Sequence, residues 1–467
     1  MGRVVALPKL VGRQREVVYL PTQGHQVILG TAGSGKTSMA VLRAAQLSNP
    51  SFPGSGKTLL ITFNKTLGAY IRFLAADILR GVTVENFHRF ARGYLSALGQ
   101  MKGTSILPTK RYVELVQKAV SNVAGHHDSH AFFNRPSSFF EAEIRWLSQH
   151  GIVSSEDYDS ISRTGRSDAR LIRSMRPTMW KILEEYRRLR LEAGYRYDLY
   201  DIASAVAYAF DCDGRPRLYR HVIVDEGQDL SPEMLRALSK AVPTDGSFTF
   251  FGDVAQQIYG NQLTWRSAGL NHPKVWHFEE NYRNTQAIAD LALAISRMPY
   301  YAGEADLVAP KQPAAEGPKP TLVHFTDRDR EIDFVVDRST RFARTRSVAI
   351  LTRTRAQART FISKLPEARK LTDSLEIWKE TTGIWIGTLH SGKGLEFDSV
   401  ILPHLSEAEF PHPLAVEKIG LEESTAIDGR ILYVGVTRAR TALLLTYTGD
   451  RTALLPPNRT LYVEVEE

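Results

Sequence analysis

The sequence has one cysteine, Cys212, among its 467 residues. A single thiol excludes an intramolecular disulfide, a zinc site made of several cysteines, and an iron–sulfur cluster held by this chain alone. No apolar run approaches the roughly 18 residues that a membrane helix needs. The apolar stretch Val4–Leu7 is also too short for the core of a signal peptide. We therefore expect a soluble cytoplasmic protein without a membrane partner.

The composition is ordinary for a globular protein, with 43% hydrophobic and 24% charged residues. The length allows about three domains. A formal net charge of +8 favours a polyanionic partner, although charge alone does not separate nucleic acid from a membrane surface.

A glycine-rich stretch near the N-terminus organises the chain. Gln26–Leu29 is typical of a buried strand, and Ser38–Ala45 has helical character. The turn between them fits G-x-x-x-x-G-K-[ST], the loop whose backbone N–H groups surround a phosphate at a helix N-terminus. A turn without a ligand is the structural alternative. The predicted phosphate-binding residues are Gly30, Thr31, Ala32, Gly33, Ser34, Gly35, Lys36 and Thr37.

In such a loop the Lys36 ammonium reaches the β- and γ-phosphates, and the Thr37 hydroxyl is a ligand for Mg²⁺. A second GSGKT, at residues 54–58, has Ser51 in place of the first glycine and precedes a strand instead of following one. We interpret this second copy as a surface loop.

The pattern along the chain is α/β, then helical, then α/β again. Residues from about 89 to 200 have apolar positions at helical spacing. Within them, the stretch Arg163–Arg190 is strongly basic, which indicates either a solvated face or a nucleic-acid contact. The other predicted strands are Leu59–Phe63, Val82–Phe87, His221–Val224, Ser247–Phe251, Val275–Phe278, Thr321–Phe325, Ser347–Leu351, Gly383–Gly387, Ser399–Leu402 and Leu443–Thr446.

Two acids follow the predicted strand His221–Val224. Behind a phosphate-binding loop, Asp225 at the strand end would hold Mg²⁺, and Glu226 would polarise the attacking water. Taken alone, an Asp-Glu pair after a strand is more typical of a helix-capping turn. The complete loop upstream favours the catalytic interpretation.

An ordered series of motifs then resembles the UvrD/Rep/PcrA family of superfamily 1 helicases over nearly the whole chain. Motif IV is similar to Glu280–Asn284, and motif IVa to Thr352-Arg353. The remaining matches are Leu10–Val18 (Q motif), Asp225–Asp229 (motif II), Phe251–Gly260 (motif III), Thr388–Phe397 (motif V) and Tyr433–Arg440 (motif VI).

The resemblance implies roles for further residues around ATP. Gln14 would read the adenine edge and Tyr282 would stack on the ring, while Glu396 would hold the ribose. Gln256 would sense the γ-phosphate. Two residues, Arg283 and Arg438, would act as arginine fingers supplied by the second domain, although either alone could be an ordinary salt bridge.

The resemblance also implies a track for single-stranded DNA. Aromatic rings suit such a track because stacking on bases tolerates any sequence. For Phe63 and Phe87, which adjoin strands, a place in the core is the competing interpretation. The implied DNA-contacting residues are Thr62, Phe63, Asn64, Phe87, His88, Tyr259, Trp265 and His390.

The sequence departs from the family in three places. Four residues separate Tyr259-Gly260 from Trp265, where the family commonly has Tyr-Gly-Trp, and Ser38 replaces a frequent basic residue. Only about 35 residues separate Arg353 from Thr388. Larger relatives carry subdomain 2B there, so a compact motor is implied.

The resemblance thus implies two RecA-like parallel-sheet domains in tandem, with a helical insertion in the first. We expect residues 1–88 and 201–280 to form domain 1A, residues 89–200 the insertion 1B, and residues 281–467 domain 2A. The implied activity is that of an ATP- and Mg²⁺-dependent helicase that moves 3′→5′ on single-stranded DNA or at single-strand/duplex junctions. Two alternatives stay open: a translocase that unwinds poorly, and an ATP-gated subunit with protein partners in repair or defence.

Overall fold

The computed structural model describes residues 10–31, 33–102, 105–126, 131–163, 171–253, 268–270, 274–278, 281, 284–301, 315–372, 375, 378 and 382–467. Two parallel sheets and a helical region account for most of them. This arrangement confirms the predicted α/β class with two parallel-sheet domains. Within the described residues, no helix is long and apolar enough to cross a membrane.

The first sheet holds six strands among the described residues, in the order β3-β2-β4-β5-β1-β6, and every neighbouring pair is parallel. Parallel neighbours need crossover connections, which helices supply here. The strands are β1 (Gly24–Gly30), β2 (Thr58–Thr62), β3 (Val82–Asn86), β4 (His221–Val224), β5 (Ser247–Asp253) and β6 (Lys274–Phe278). The helices are α1 (Gln14–Val18), α2 (Lys36–Ser48), α3 (Lys65–Leu74), α4 (Phe87–Ala97), α9 (Ile202–Cys212) and α10 (Pro232–Lys240).

The helical region lies between α4 and α9 and has its own apolar core. Tyr112 of α5 and Tyr186 of α8 meet edge-to-face with ring centroids 5.4 Å apart. The helices are α5 (Thr109–Ala124), α6 (Ser137–Gln149), α7 (Ser155–Ser160) and α8 (Arg176–Glu192). This position agrees with the predicted insertion, and the exact domain limits stay a prediction.

The second sheet contains seven strands in the described part of the chain, in the order β13-β7-β12-β11-β8-β10-β9, again all parallel. Its strands are β7 (Thr321–Phe325), β8 (Ser347–Thr352), β9 (Arg369–Lys370), β10 (Gly383–Thr388), β11 (Phe397–Leu402), β12 (Ala439–Thr448) and β13 (Val463–Glu466). Its helices are α11 (Gln286–Ser296), α12 (Arg328–Ala343), α13 (Arg355–Lys364), α14 (Pro413–Ile419) and α15 (Leu421–Val436).

The two sheet domains touch along α3. A Cβ added to Gly394, before β11, would lie 2.7 Å from a Leu67 methyl group of α3. The Thr66 hydroxyl donates to the carbonyl of Thr372 at 3.3 Å. The Tyr70 ring packs edge-to-face on Trp378 at 5.1 Å between centroids. Buried apolar residues of both domains therefore belong to one continuous cluster.

A fully buried arginine fixes α2 to its surroundings. The Arg43 side chain is 0% exposed, and its Nε donates to the Thr249 hydroxyl at 2.9 Å. Its NH1 and NH2 groups donate to the carbonyls of Leu20 and Pro21 at 3.0 and 2.9 Å. Burial lowers the pKa of Arg43 to about 10. Guanidinium hydrogen bonds to carbonyl groups at the end of α1 thus offset the cost of burying the charge.

A buried carboxylate joins α12 to β12. Glu331 accepts from the backbone N–H of His404 at 2.8 Å and lies 2.9 Å from the ring Nδ1 of the same residue. The hydroxyls of Thr446 and Thr448 donate to its two oxygens at 2.5 and 2.8 Å. Although burial acts in the opposite direction, the contacts with His404 and Thr446 lower the pKa of Glu331 to about 2.

Candidate functional site

The glycine-rich loop connects the end of β1 with the start of α2, as predicted. Gly33 and Gly35 have φ angles of +82° and +83°, a region that only glycine adopts without strain. A Cβ at Gly35 would also lie 2.9 Å from the Nε2 of Gln14. Backbone conformation and side-chain packing therefore both require glycine at position 35. Ala32 lies outside the described residues.

Lys36 is the first residue of α2 and is buried. Its ammonium donates to the carbonyls of Gly30 and Thr31, each at 2.8 Å, and lies 3.7 Å from Oδ2 of Asp253. The positive charge is thus held within the loop, where a phosphate chain would replace the carbonyl partners.

Gln14 packs directly against this loop. Its Nε2 donates to the carbonyl of Ser34 at 2.8 Å, and its Oε1 accepts from the N–H of Val11 at 3.0 Å. These bonds give Gln14 a role in shaping the phosphate-binding loop. Its implied contact with adenine stays a prediction.

Asp225 follows β4 and faces the loop. Both carboxylate oxygens are buried and accept no hydrogen bond of good geometry within the described part of the chain. Burial and the neighbouring Glu226 raise the pKa of Asp225 to about 7, while Thr37 and Lys36 oppose that rise. A buried carboxylate next to the Thr37 hydroxyl is a suitable oxygen donor set for Mg²⁺. Asp225 and Thr37 therefore fit the ion that was predicted for them.

Glu226 has a strained backbone, with φ +54° and ψ +41° in the left-handed region. Non-glycine residues rarely adopt this conformation, and it is frequent at functional sites. The Gln228 amide donates to Oε2 of Glu226 at 2.5 Å, and Oε1 of Gln228 accepts from the N–H of Asp253 at 3.1 Å. Gln228 thus fixes Glu226 relative to the end of β5.

Charges from both domains converge on Glu226. Burial raises its pKa, but Lys36, Lys393 and Arg438 together hold the pKa below its ordinary value. Glu226 is therefore kept ionised, as a group that accepts a proton from water must be.

Arg438 belongs to the second domain and is buried. Its Nε donates to the carbonyl of Val434 at 2.9 Å, and its NH2 donates to the Thr437 hydroxyl at 3.0 Å. The Asn284 amide donates to the carbonyls of Thr437 and Ala439 at 3.2 and 2.5 Å. Motifs IV and VI are thus joined around Arg438. Glu396 lies beside them, because the N–H of Phe397 donates to the carbonyl of Arg438 at 3.0 Å.

The first group of predicted DNA contacts lies at the end of β2. Thr62 is buried, and the Asn64 side chain accepts from the N–H of Leu67 and thereby caps α3. The Phe63 ring is 38% exposed. Phe63 is therefore the member of this group whose ring could receive a base.

The second group lies at the end of β3. The Phe87 ring is 1% exposed and belongs to the apolar core, which favours the structural alternative for this residue. His88 is half-buried, with its Nε2 at 3.2 Å from the carbonyl of Leu199. His390, in the second domain, is exposed.

Several predicted site residues lie outside the described residues, and their roles stay predictions. They are Gln256, Tyr259, Trp265, Tyr282 and Arg283.

The basic stretch Arg163–Arg190 has a structural role at three of its positions. Arg163 forms an ion pair with the fully buried Glu143. Arg176 is buried and donates to the carbonyl of Ile161 at 3.0 Å. Arg190 is buried between Asp198 and Asp201. These guanidinium groups hold the helical region together, so they do not support a nucleic-acid interface there.

Gln228 and Lys393 had no predicted role, although both lie inside predicted motifs. The Lys393 ammonium reaches across to the first domain and forms an ion pair with Asp229 at 2.5 Å. Local patterns contain no signal for this contact, because 164 residues separate its partners.

A phosphate-binding loop in one parallel sheet and an arginine supplied by a second sheet define a two-domain P-loop nucleotide hydrolase. The family model "UvrD/REP helicase N-terminal domain" matches residues 10–272, and "UvrD-like helicase C-terminal domain" matches residues 367–450. The chain belongs to the UvrD/REP helicase family.

Individual relatives are distant in sequence. "ATP-dependent DNA helicase UvrD2" of Mycobacterium tuberculosis is 23% identical over 94% of this chain and 78% of its own length. "ATP-dependent DNA helicase PcrA" of Leuconostoc citreum is 24% identical over 76% of this chain and 48% of its own. The solved C-terminal domain of a possible DNA helicase from Lactobacillus plantarum is 22% identical over 39% of this chain and 98% of its own. Its TM-score of 0.29 is too low to inform the fold.

Proposed function

We propose that this protein is an ATP- and Mg²⁺-dependent DNA helicase that translocates 3′→5′ on single-stranded DNA. The proposal rests on charged groups from both domains beside Glu226: Lys36 of the phosphate-binding loop and Arg438 of the second domain lower its pKa, and the Lys393 ammonium of the second domain pairs with Asp229 at 2.5 Å. ATP bound between the domains would therefore meet charged groups from each of them. Such an arrangement couples hydrolysis to a relative movement of two domains.

The residues of this chain divide the chemistry among them. Lys36 would exchange its two carbonyl partners for the β- and γ-phosphates, and Asp225 and Thr37 would hold Mg²⁺. When bound, Mg²⁺ neutralises the charge that develops on the phosphate oxygens. Glu226 accepts a proton from the attacking water. Arg438 stabilises the transition state with a planar, permanently charged group.

The exposure of Phe63 supports a DNA contact at the end of β2. Phe63 offers a partly exposed ring at the carboxyl end of β2, on the side of the first sheet that faces the second domain through α3. Stacking on such a ring contributes about 1–3 kcal/mol per base and is insensitive to sequence. The polarity of movement rests on the family resemblance.

Weak unwinding is a second candidate, favoured by the short connection between the strands β8 and β10. Among its described residues, this connection contains only α13 and the two-residue strand β9 as regular elements. A connection of this size leaves little protein surface to grip the duplex ahead of the motor.

Steady-state ATPase activity with and without oligo-dT tests the proposal. We expect strong stimulation by oligo-dT, and loss of turnover in Lys36→Ala. Lys57→Ala is the matched control, because this lysine belongs to the second GSGKT in a loop outside the site. ATP turnover that ignores DNA, or equal loss in the two variants, would contradict the proposal.

Strand separation needs its own assay. Duplexes with a 3′ tail and with a 5′ tail, presented separately, distinguish the two polarities. We expect displacement only from the 3′ tail. Active translocation that displaces neither strand would support the candidate that unwinds poorly.

A further inference from the structure

One lysine contacts both halves of the proposed motor. Lys393 lies in the loop between β10 and β11, on the second domain, and its side chain extends to the first domain. There its ammonium pairs with Asp229 at 2.5 Å and also lies 5.5 Å from the centroid of the Phe63 ring. A single charge therefore touches the loop that carries Glu226 and the ring proposed to receive a base.

The pair with Asp229 is largely buried, with Lys393 13% and Asp229 7% exposed. Removing one partner of a buried ion pair strongly destabilises the structure, because the other partner is left as an uncompensated charge in a low-dielectric interior. Asp229 ends the short 3₁₀ turn that begins just after Glu226. The cation therefore stabilises the turn that sets the position of Glu226.

The loop that carries Lys393 is held tightly in place. Gly394 has a φ of +79°, and any side chain there would collide with Leu67 of α3. Helix α3 starts two residues after Phe63. Phe63, α3 and Asp229 belong to the first domain, and Lys393 belongs to the second. A movement of one domain against the other therefore changes the distance between Lys393 and Asp229.

From these contacts we infer that Lys393 is a positioning residue that transmits DNA binding at Phe63 to the hydrolytic loop through Asp229. The inference rests on the proposed function, since it assumes that Phe63 binds DNA and Glu226 serves hydrolysis. A base that stacks on Phe63 competes with the cation for the ring face, so the ammonium keeps Asp229 as its partner. Hydrolysis then proceeds fastest with DNA bound.

The test compares Lys393→Met, Lys393→Arg, Asp229→Asn and the double variant Lys393→Met/Asp229→Asn. The measured quantity is the ratio of ATP turnover with saturating oligo-dT to turnover without it. We expect Lys393→Met and Asp229→Asn each to lower this ratio at least tenfold. The double variant should be no worse than the poorer single variant, because the two residues act as one unit. Lys393→Arg should recover part of the ratio.

Lys57→Met is the matched control, since its ammonium also lies 5.5 Å from an aromatic ring, that of Tyr219, outside the site. This variant should keep the full ratio. Thermal unfolding of each variant separates coupling from folding: a stable Lys393→Met protein with a lost ratio supports the inference. A ratio unchanged in Lys393→Met, or additive losses in the double variant, would overturn it. No stimulation in the unmodified protein would instead refute the proposed function.

Discussion

The buried carboxylate of Glu331 makes the second domain sensitive to acid. Its pKa falls from an ordinary 4.5 to about 2 because His404 and the threonine hydroxyls favour the charged form. At about 1.4 kcal/mol per unit, this shift contributes on the order of 3 kcal/mol to stability at neutral pH. Since the pKa is lowered on folding, the contribution is complete above pH 4.5 and is lost as the pH falls toward 2.

Hydrogen exchange of the amides in β7 and β12 measures this contribution locally, which suits a protein with more than one domain. The comparison is between the unmodified chain and Glu331→Gln. At pH 7 we expect the variant to lower the opening free energy of these strands by about 3 kcal/mol.

Urea unfolding followed by circular dichroism extends the comparison to pH 3, where the difference should shrink by about 2 kcal/mol. A matched control is Asp333→Asn, on the same helix, whose ion pair with Lys364 is exposed. A difference between Glu331→Gln and the unmodified chain that stays constant from pH 7 to pH 3 would refute the reasoning.

Four further predictions concern the nucleotide site, the DNA track and α2. Glu226→Gln should abolish ATP turnover in steady-state assays and leave nucleotide affinity measurable by titration; retained turnover would exclude its role as the base. Arg438→Ala should reduce turnover by about 10³-fold or more with a much smaller effect on ATP affinity, and equal losses would contradict a finger role. The logarithm of DNA affinity should fall with the logarithm of salt concentration at a slope near −0.7 per phosphate neutralised, whereas a flat response would exclude an electrostatic track. Arg43→Met should destabilise the first domain in chemical denaturation, because each buried carbonyl that loses its donor costs about 1–3 kcal/mol; a change under about 1 kcal/mol would contradict that reasoning.

Much of the fold was predictable because parallel strands buried on both faces have continuous apolar sequences. Thr321–Phe325 and His221–Val224 have the predicted limits, and β1 is longer than predicted by a few residues. The strands β9 and β13 were missed. Arg369–Lys370 is only two residues long, and Val463–Glu466 alternates with acids at an edge of the sheet. Neither strand has the apolar run on which the prediction relied.

The site was predictable where its residues are neighbours in sequence, as in the phosphate-binding loop and at Asp225-Glu226. It was not predictable where the outcome depended on distant partners. Nothing near Arg190 shows that Asp198 and Asp201 will enclose it, so the basic stretch was interpreted as either a solvated face or a nucleic-acid contact, and its structural role was not predicted. The burial of Phe87 was likewise not predictable from neighbouring residues, because it results from packing against distant parts of the core.

The anchoring of Arg43 has a mechanical consequence. Helix α2 carries the phosphate-binding loop at one end, and the guanidinium joins its middle to the segment after α1 and to β5. The helix therefore cannot tilt without breaking buried hydrogen bonds to both neighbours. A force generated at the γ-phosphate would therefore be transmitted from the phosphate-binding loop through α2 to β5 and the first sheet, and the loop and sheet would move together.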